Sequence, residues 1–347
     1  MSTPLVSVLV PAWNVAPWLA EGLGSVLAQS LAELEVVLVD DASTDSTLEI
    51  ARGLAARDPR LVVVARPTNG GSARARNDAL AVARAPWIAV FDADDRMAPD
   101  RLARLLAVAE SRGAVWVADD QWVEFAGDGA LRGRLLTDEP EGAVGLDLVR
   151  FLDRDPPEAI GYGTLKPLVR RDFLERHGIR WRPEAGRSDD FLFTLECLAR
   201  GASAWLWNEP LYGYRLRPGS QVTRLDARAT LRHLAAVQEL AERLLADHPD
   251  PAVHAALARR RRRIAAASVY RELLAALRAG RLFAAAALLA RTPGSSALLA
   301  AGALEALRRR LGPRRPPTLA ERRLFSSRLD RVADALGTPV RDPSARP

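Results

Sequence analysis

The sequence predicts an α/β protein with a mostly parallel sheet and helices on both faces, followed by an α-helical C-terminal region. Two observations lead to this fold class. Short continuous apolar runs alternate with helical patterns over the first 120 residues, as expected for strands that crossover helices bury on both faces. After residue 226 the sequence becomes rich in alanine, leucine and arginine at helical spacing.

The predicted elements alternate along the first half of the chain. Strands are expected where β-rich apolar runs end at polar or turn residues, at 6–10, 35–39, 61–65, 87–91 and 115–118. Helices are expected where apolar residues recur at helical spacing, at 17–29, 43–57, 72–83, 188–200, 227–246, 251–279, 295–311 and 320–336. Ser43 is the expected N-cap of the second helix, because its hydroxyl can accept from a free backbone amide.

Composition and charge divide the chain into modules. Residues 226–347 carry 23 Arg against 11 Asp and Glu, whereas the preceding part is net negative. We therefore expect an α/β domain over 1–225, a basic helical region over 226–338 and a disordered tail over 339–347. One cysteine excludes an internal disulfide and a cysteine-rich zinc site. With no signal-peptide pattern and no uninterrupted apolar stretch of about 18 residues, the expected location is the cytoplasm.

Polar residues follow three of the first four predicted strands. These segments are Pro11–Asn14, Asp40-Asp41 and Asp92–Asp95. In a doubly wound sheet the carboxyl ends of parallel strands meet at one edge, and ligands bind outside that edge. The shared position of the three segments is the main reason to expect a binding site there.

The run containing Asp92, Asp94 and Asp95 concentrates negative charge at one strand end. Crowded carboxylates repel one another unless a cation or arginines compensate them. Oxygen ligands favour Mg²⁺ or Mn²⁺, with water and substrate phosphates completing the shell. The alternative is a loop in which Asp94 or Asp95 caps a helix. The position directly after a buried apolar strand favours the metal site.

Two further segments offer ligand contacts, and each also has a purely structural alternative. Asp40 and Asp41 can accept hydrogen bonds from a base imide or from ribose hydroxyls, or they can serve the turn before the next helix. Residues 69–77 place two glycines at a helix start, where backbone can approach an anion and Arg76 can reach phosphates. A glycine loop with solvated arginines is the competing interpretation.

Asp190 is the candidate general base. A carboxylate at a helix start can take a proton from an acceptor hydroxyl while a metal neutralises a departing diphosphate. The alternative, which the residues by themselves favour, is that Ser188 or Asp189 only caps the helix. The four histidines show no metal-ligand spacing, and Cys197 is expected in the core. Trp181 is expected either in the core or in a sugar subsite.

Taken in order over residues 5–225, these segments resemble glycosyltransferase family 2, whose members are inverting enzymes with the GT-A fold. The segments that carry the resemblance are VSVLVPAWN (6–14), VDDASTD (39–45), NGGSARARN (69–77), FDADD (91–95), SDD (188–190) and PLYGYR (210–215) with Ser220 and Thr223. Two positions depart from the family pattern. Ala42 stands where glycine is usual, and Asp189 stands where glutamate is usual.

The resemblance implies a role for each matched residue. Asp190 inherits the catalytic base and Asp94 the metal. Asp92 is implied to face the ribose or a metal-bound water, and Asp95 to serve the turn alone. The other implied donor-binding residues are Pro11, Ala12, Asn14, Asp40, Asp41 and Arg76. The residues implied to contact the acceptor or to close the donor site are Asp189, Arg215 and Ser220. The implied cofactor is Mn²⁺ or Mg²⁺, and the implied donor is most often a UDP-sugar.

The arginine run at 259–263 opens a helix with apolar residues at helical spacing. A basic amphipathic segment can lie on an anionic membrane, at ~1 kcal/mol per basic residue close to the lipid. Alternatively, the helices form a subdomain that packs on the catalytic core and leaves the arginines in solvent. Nucleic acid is not expected as a partner, because the basic region lacks interleaved aromatic residues.

The sequence therefore predicts a cytoplasmic glycosyltransferase with a saccharide or lipid-linked acceptor, in cell-surface polysaccharide or glycolipid synthesis. Peripheral contact with the inner membrane face through the basic helices stays an alternative to their packing on the catalytic core. One alternative is a nucleotidyltransferase, which would want a glycine-rich loop with a lysine after the first strand. Another is a catalytically silent nucleotide-binding module docked to a membrane assembly. The joint presence of Asp92, Asp94 and Asp190 argues against the silent module.

Overall fold

The computed structural model describes residues 3–125, 131–136, 139–155, 161–216 and 227–281, together with positions 283 and 287. The strands are β1 (Val6–Ala12), β2 (Leu34–Asp40), β3 (Leu61–Ala65), β4 (Trp87–Val90), β5 (Arg96–Met97), β6 (Trp116–Phe125), β7 (Leu131–Arg134), β8 (Ala143–Leu146), β9 (Leu168–Arg170) and β10 (Ala204–Leu216). The helices are α1 (Ala16–Leu27), α2 (Thr47–Ala55), α3 (Ser72–Val82), α4 (Arg101–Arg112), α5 (Leu148–Asp153), α6 (Arg171–His177), α7 (Asp189–Ala199), α8 (Ala227–Leu244) and α9 (Pro251–Arg278).

The described residues fall into two compact units. The first comprises residues 3–148 and 162–216, and the second comprises residues 149–161 and those after 224, as far as the structure describes them. The second unit therefore includes a segment that lies before 225 in the sequence. The boundary at 225, which rests on composition, stays a prediction.

The described strands form one sheet in the order β3-β2-β1-β4-β9-β6-β10-β5, with β7 beside β6 and β8 beside β10. Strands β1 to β4 are mutually parallel. β9 runs antiparallel between β4 and β6, and β10 lies parallel to β6. The predicted α/β fold class with a mostly parallel sheet is confirmed.

The central strands are buried on both faces. Val8, Leu9 and Val10 in β1 point alternately to opposite faces of the sheet, and each is 0% exposed. Residues 36–39 of β2 are buried to the same extent. Continuous apolar strands need such two-sided cover, which the helices between them provide. These apolar strands can therefore offer polar groups to a ligand at their ends and in the loops that follow.

Helix α2 begins at Thr47, four residues later than predicted, and Ser43 is not its N-cap. The Ser43 hydroxyl instead accepts the backbone N–H of Asn14 at 3.1 Å. Asp45 accepts the N–H of Thr47 at 2.9 Å just before the helix starts. The capping prediction was wrong because a neighbouring loop, 29 residues away in the sequence, takes the hydroxyl.

Trp181 and Cys197 both lie in the core of the first unit. Trp181 is 1% exposed and stacks on Phe193 with ring centroids 4.0 Å apart. Of its two predicted locations, the core is therefore the one found. Cys197 is fully buried on α7, and burial raises the pKa of its thiol well above the ordinary value. The prediction of a core thiol is confirmed.

In the second unit, α8 and α9 lie close to their predicted bounds. Four of the five consecutive arginines at the middle of α9 bond within this unit. The pairs are Arg259 with Asp153, Arg260 with Asp155 and Gln238, Arg261 with Glu242, and Arg263 with the backbone carbonyls of Leu152 and Asp153. The arginine run thus joins α9 to α8 and α5 rather than standing entirely in solvent.

Within the part of the chain that the structure describes, no helix is both long and apolar enough to cross a bilayer. The helices expected at 295–311 and 320–336 and the tail at 339–347 lie outside the described residues.

Candidate active site

The carboxyl ends of β1, β2 and β4 meet at one edge of the sheet, as predicted. Ala12 at the end of β1 is paired with Asp40 at the end of β2. The strand after which Asp92 follows is paired with β1 on its other side. The parallel register therefore brings the three polar segments together, although up to 80 residues of sequence separate them.

Arg76, in the first turns of α3, is the centre of a buried charge cluster at this edge. Arg76 is 2% exposed. Nη2 donates to Oδ1 of Asp92 at 2.6 Å, and Nη1 donates to Oδ2 of Asp189 at 2.6 Å. Nη1 also lies 3.1 Å from Oδ1 of Asp190. The planar fork of one arginine thus reaches three carboxylates on two different elements.

Lys166, in the loop before β9, is the second cation of the cluster and was missed by the sequence analysis. Its Nζ lies 2.7 Å from Oδ2 of Asp92 and 2.5 Å from Oδ2 of Asp190. The residue is 3% exposed. A signal was present in the composition, because Lys166 is the only lysine among the 49 Lys and Arg residues of the chain. We call Arg76, Asp92, Lys166, Asp189 and Asp190 the charge cluster.

The two cations determine the ionisation of the cluster. Burial by itself would raise the pKa of Asp92, but the charges of Lys166 and Arg76 outweigh it and hold that pKa well below its ordinary value. Burial would likewise lower the pKa of Lys166, but Asp190 and Asp92 outweigh it and raise that pKa. For Asp189 burial is the larger effect, and it raises the pKa against the opposing charge of Arg76. Asp92 is therefore an anion and Lys166 a cation at neutral pH.

Asp95 fastens the acidic loop to β10. Its Oδ2 accepts the hydroxyl of Tyr212 at 2.6 Å, and its Oδ1 accepts the N–H of Arg215 at 2.8 Å. The Tyr212 oxygen in turn accepts the N–H of Asp92 at 3.1 Å. Burial raises the pKa of Asp95 well above its ordinary value, and the nearby charges of Asp94 and Asp92 add to the rise. Asp95 therefore does more than serve the turn.

Asp94, like Asp92, is a half-buried member of the acidic loop. Both oxygens of Asp92 are bonded to cations, and both oxygens of Asp95 accept hydrogen bonds. Among the described residues, no group of three or more Asp, Glu, His or Cys could hold a metal ion by itself. A site with so few carboxylate ligands fits an ion such as Mn²⁺ or Mg²⁺, which binds one or two carboxylates and completes its shell with phosphates and water.

Asn14 joins the loop after β1 to the loop after β2. Its backbone has a positive φ of 49°, a conformation that Asn adopts more readily than most residues. The side-chain Oδ1 accepts the N–H of Thr44 at 2.8 Å. Pro11 is half-buried and Ala12 is 2% exposed beside it. The predicted donor-binding loop is therefore braced by its neighbour, while the Trp13 ring stays 41% exposed.

Asp41 holds the glycine loop in place. Its Oδ1 accepts from Arg66 at 2.8 Å and from the N–H of Gly70 at 2.9 Å, and its Oδ2 accepts the N–H of Gly71 at 2.7 Å. Asp40 is 1% exposed and accepts the N–H of Ser43 at 3.2 Å through Oδ2. The Asp41 side chain thus has a structural task of its own, and the predicted donor contacts of both residues stay predictions.

Arg215 lies outside the charge cluster, in a separate ion-pair network. Its Nε donates to Glu124 at 3.0 Å and its Nη2 donates to Glu21 at 2.9 Å. Arg96 pairs with the same two glutamates. Arg215 in β10 and Arg96 in β5 are therefore joined to α1 and β6 through the same two glutamates. Ser220, the other residue predicted to close the site, lies outside the described residues.

A family model described as "Glycosyl transferase family 2" matches residues 7–177. The putative teichuronic acid biosynthesis glycosyltransferase TuaG of Bacillus subtilis is 31% identical over 222 residues, which are 61% of this chain and 79% of that protein. The chain belongs to glycosyltransferase family 2. The succinoglycan biosynthesis protein ExoO of Rhizobium meliloti is 33% identical over 231 residues, and its relative ExoU is 36% identical over 202 residues. The matches cover 64% and 58% of the lengths of those two proteins.

Solved structures of glycosyltransferases share the fold. S. aureus TarS 1-349 in complex with UDP-GlcNAc has a TM-score of 0.55 at 20% identity, over 83% of this chain and 92% of that one. The mannosyltransferase PcManGT from Pyrobaculum calidifontis, in complex with GDP-Man and Mn²⁺, has a TM-score of 0.53 at 22% identity, over 96% and 87%. The GT-A fold implied by the family resemblance is confirmed.

Proposed function

We propose that this family 2 chain is an inverting glycosyltransferase that moves a sugar from a nucleoside diphosphate, UDP in the first instance, to an acceptor hydroxyl. The charge cluster is the observation that carries the proposal. It joins the Asp92 carboxylate, at the edge where a parallel α/β sheet binds its ligands, to the Asp190 carboxylate at the start of α7. The TarS complex with UDP-GlcNAc supports a UDP-sugar as the donor.

The proposed reaction is a single displacement. Asp190 accepts the proton of the acceptor hydroxyl, and the oxygen forms a bond to the anomeric carbon. The bond from that carbon to the β-phosphate oxygen breaks, and its electron pair leaves with the nucleoside diphosphate, so the anomeric configuration inverts. Asp94 would hold the Mn²⁺ or Mg²⁺ ion, which supplies positive charge for the diphosphate. PcManGT, solved with GDP-Man and Mn²⁺, supports a divalent ion.

The donor loops supply the remaining contacts in this proposal. The exposed ring of Trp13 offers a flat apolar surface for a base beside Asn14. Asp40 and Asp41 at the end of β2 offer acceptors for base or ribose, while Arg76 offers positive charge next to the glycine loop. Tyr212 fixes the N–H of Asp92 and the side chain of Asp95, so the acidic loop is set before the donor arrives.

The acceptor is proposed to be a saccharide or a lipid-linked saccharide in cell-surface polysaccharide synthesis, as the names of ExoO and TuaG support. The proposed location is the cytoplasm, with peripheral contact to the inner membrane face through the basic helices. Flotation with vesicles containing anionic lipid tests this contact. Arg259, Arg260, Arg261 and Arg263 bond within the second unit, and Arg261 and Arg262 are the two exposed arginines of that run.

A thermal-shift screen of UDP-, GDP- and dTDP-sugars with and without Mn²⁺ tests the proposed function. We expect a UDP-sugar to stabilise the protein only when Mn²⁺ is present, and Asp94→Asn to remove that stabilisation. Asp172→Asn, which replaces an exposed carboxylate of α6, is the matched control and should respond like the wild type. Stabilisation without any donor hydrolysis or transfer would favour the catalytically silent binding module. A response to nucleoside triphosphates with release of pyrophosphate would favour the nucleotidyltransferase.

A further inference from the structure

The chain uses arginine at every basic position except one, and that exception lies in the charge cluster. Lys166 is the single lysine in 347 residues. It is 3% exposed, and its Nζ contacts one oxygen of Asp92 and one oxygen of Asp190. A sequence so strongly biased to arginine would be expected to carry arginine here too, unless the position needs what only an ammonium provides.

The geometry indicates what that property is. An ammonium donates three hydrogen bonds from one small atom, whereas a guanidinium spreads its donors over a rigid planar fork. One nitrogen stands at 2.7 Å and 2.5 Å from two carboxylates that belong to different segments. A fork already occupies the neighbouring space, because Arg76 bonds to Asp92 and Asp189. A second guanidinium at this buried position would have to fit beside the fork of Arg76.

The backbone of Lys166 is also held from behind. Its carbonyl oxygen accepts from Nη2 of Arg101, which is 0% exposed. Arg101 is fixed in turn by Asp119 at 2.9 and 2.7 Å, and it lies over the ring of Tyr212 at 5.0 Å. The loop that carries the ammonium is thus tied to the same tyrosine that holds the acidic loop.

We propose that Lys166 is a positioning residue, whose ammonium holds the Asp190 carboxylate at a fixed place relative to Asp92 and thereby aligns the base with the donor. The proposal rests on the proposed function, which makes Asp190 the base and Asp92 a donor-side group. The two oxygens cannot be farther apart than the two short contacts combined, so the alignment is tight. This alignment requires both the positive charge and the compact ammonium group of the lysine.

Kinetics of Lys166→Met and Lys166→Arg test the proposal. The substrate is the nucleotide sugar that gives the largest Mn²⁺-dependent stabilisation, and its hydrolysis is followed. We expect both variants to lose roughly 100-fold or more in kcat, while KM for the donor changes only a few-fold, because a misplaced base affects the chemical step. Arg84→Met is the control. It removes the cation beside buried Glu35 at the amino end of β2 and should keep the wild-type kcat.

Wild-type kcat in Lys166→Met would overturn the proposal, and wild-type kcat in Lys166→Arg would overturn the requirement for a compact cation. If Arg84→Met changed kcat and KM as much as the Lys166 variants do, breaking any ion pair would have the same effect, and the proposal would also be overturned. If the wild type neither binds nor hydrolyses any nucleotide sugar, the proposed function has failed instead.

A second measurement does not depend on whether the Lys166 variants fold. Protein labelled with ¹³C-lysine gives one lysine Cε signal in an NMR spectrum, because the chain has one lysine. We expect Asp190→Asn to shift this signal, and UDP with Mg²⁺ to shift it in the wild type. A signal that Asp190→Asn leaves unmoved would disprove the contact, whatever the activity. A signal that moves in Asp190→Asn but not with bound UDP would disprove the coupling to the donor side.

Discussion

Ala42 lies between Asp41 and Ser43 with a φ of 57°, a left-handed conformation that costs an alanine about 1–2 kcal/mol. The resemblance to the family pattern implies glycine here, and glycine adopts this conformation without strain. We expect Ala42→Gly to stabilise the protein by about 0.5–1 kcal/mol, after allowing for the greater freedom of glycine in the unfolded chain. Urea unfolding of the two proteins measures the difference. A loss of stability would mean that the neighbouring bonds of Asp41 depend on the alanine.

Gly22 in α1 lies directly against the acidic loop. A Cβ at this position would stand 2.8 Å from the carbonyl oxygen of Ala93 and 3.0 Å from that of Asp95. We expect Gly22→Ala to displace the loop that carries Asp94 and to weaken Mn²⁺-dependent UDP binding by roughly tenfold or more, since about 1.4 kcal/mol of misfit has that effect. Titration calorimetry with UDP and Mn²⁺ measures it.

Gly53 in α2 provides the matched control for Gly22→Ala. A Cβ at Gly53 would meet nothing within 4 Å, and alanine is preferred to glycine inside a helix by about 0.8–1 kcal/mol. Gly53→Ala should therefore raise stability and leave UDP binding unchanged. Equal losses of binding in both variants would show that the effect of Gly22→Ala does not come from the acidic loop.

Two arginines of helix α9, two residues apart, are expected to contribute very differently to stability. Arg260 is 1% exposed and bonds to Asp155 and Gln238, whereas Arg262 is exposed. We expect Arg260→Met to destabilise the second unit by about 3–5 kcal/mol, because it removes the buried cation that bonds to the largely buried Asp155 carboxylate. Arg262→Met should change stability by less than about 0.5 kcal/mol. Helical circular dichroism during thermal unfolding distinguishes the two, and equal effects would contradict the ion-pair assignment.

At the scale of elements, the sequence predicted part of what periodicity and end residues can reveal, since helix α4 and strand β10 were not foreseen. The first four strands, the helices between them and the acidic ends of β2 and β4 all follow from runs of apolar residues bounded by polar ones. Strand β9 was not foreseen, because a three-residue strand is too short to show a period. Ser43 was misassigned because its partner, Asn14, lies on another loop.

The charge cluster shows the same limit within the site. Asp92 and Asp190 were foreseen from their positions after a strand and at a helix start. Their pairing with Arg76 and Lys166 was not, because these contacts span up to 114 residues and only the assembled sheet brings the partners together. Only the isolated lysine in an arginine-rich chain could have pointed to Lys166 in advance.

For the whole molecule, stability at acid pH should depend on Glu35. This residue lies at the start of β2 and is not part of the charge cluster. Burial would raise its pKa, but hydrogen bonds from Ser7 and Arg84 outweigh it and lower that pKa. Glu35 therefore contributes stability above its unfolded pKa of about 4.3, and this contribution is lost as the pH falls through the lower folded value.

We expect Glu35→Gln to destabilise the protein by about 1–3 kcal/mol at pH 7. The difference from wild type should shrink toward zero once the pH is below the folded pKa of Glu35, because the wild-type side chain is then neutral as well. Urea unfolding at a series of pH values measures both proteins. A difference that stays constant from pH 7 down to pH 3 would show that the shape of the amide, and not the charge of the carboxylate, is responsible.

The single buried thiol on α7 has a practical consequence for following the motions of this protein. Cys197 lies on the helix whose first residues are Asp189 and Asp190, and a thiol reagent can reach it only when that helix opens. The rate at which mass spectrometry detects a single adduct, relative to the rate for an unfolded chain, therefore gives the opening free energy of the segment that carries the proposed base. Labelling should slow when UDP and Mn²⁺ are bound. The thiol of Cys197 can therefore report how often α7 opens.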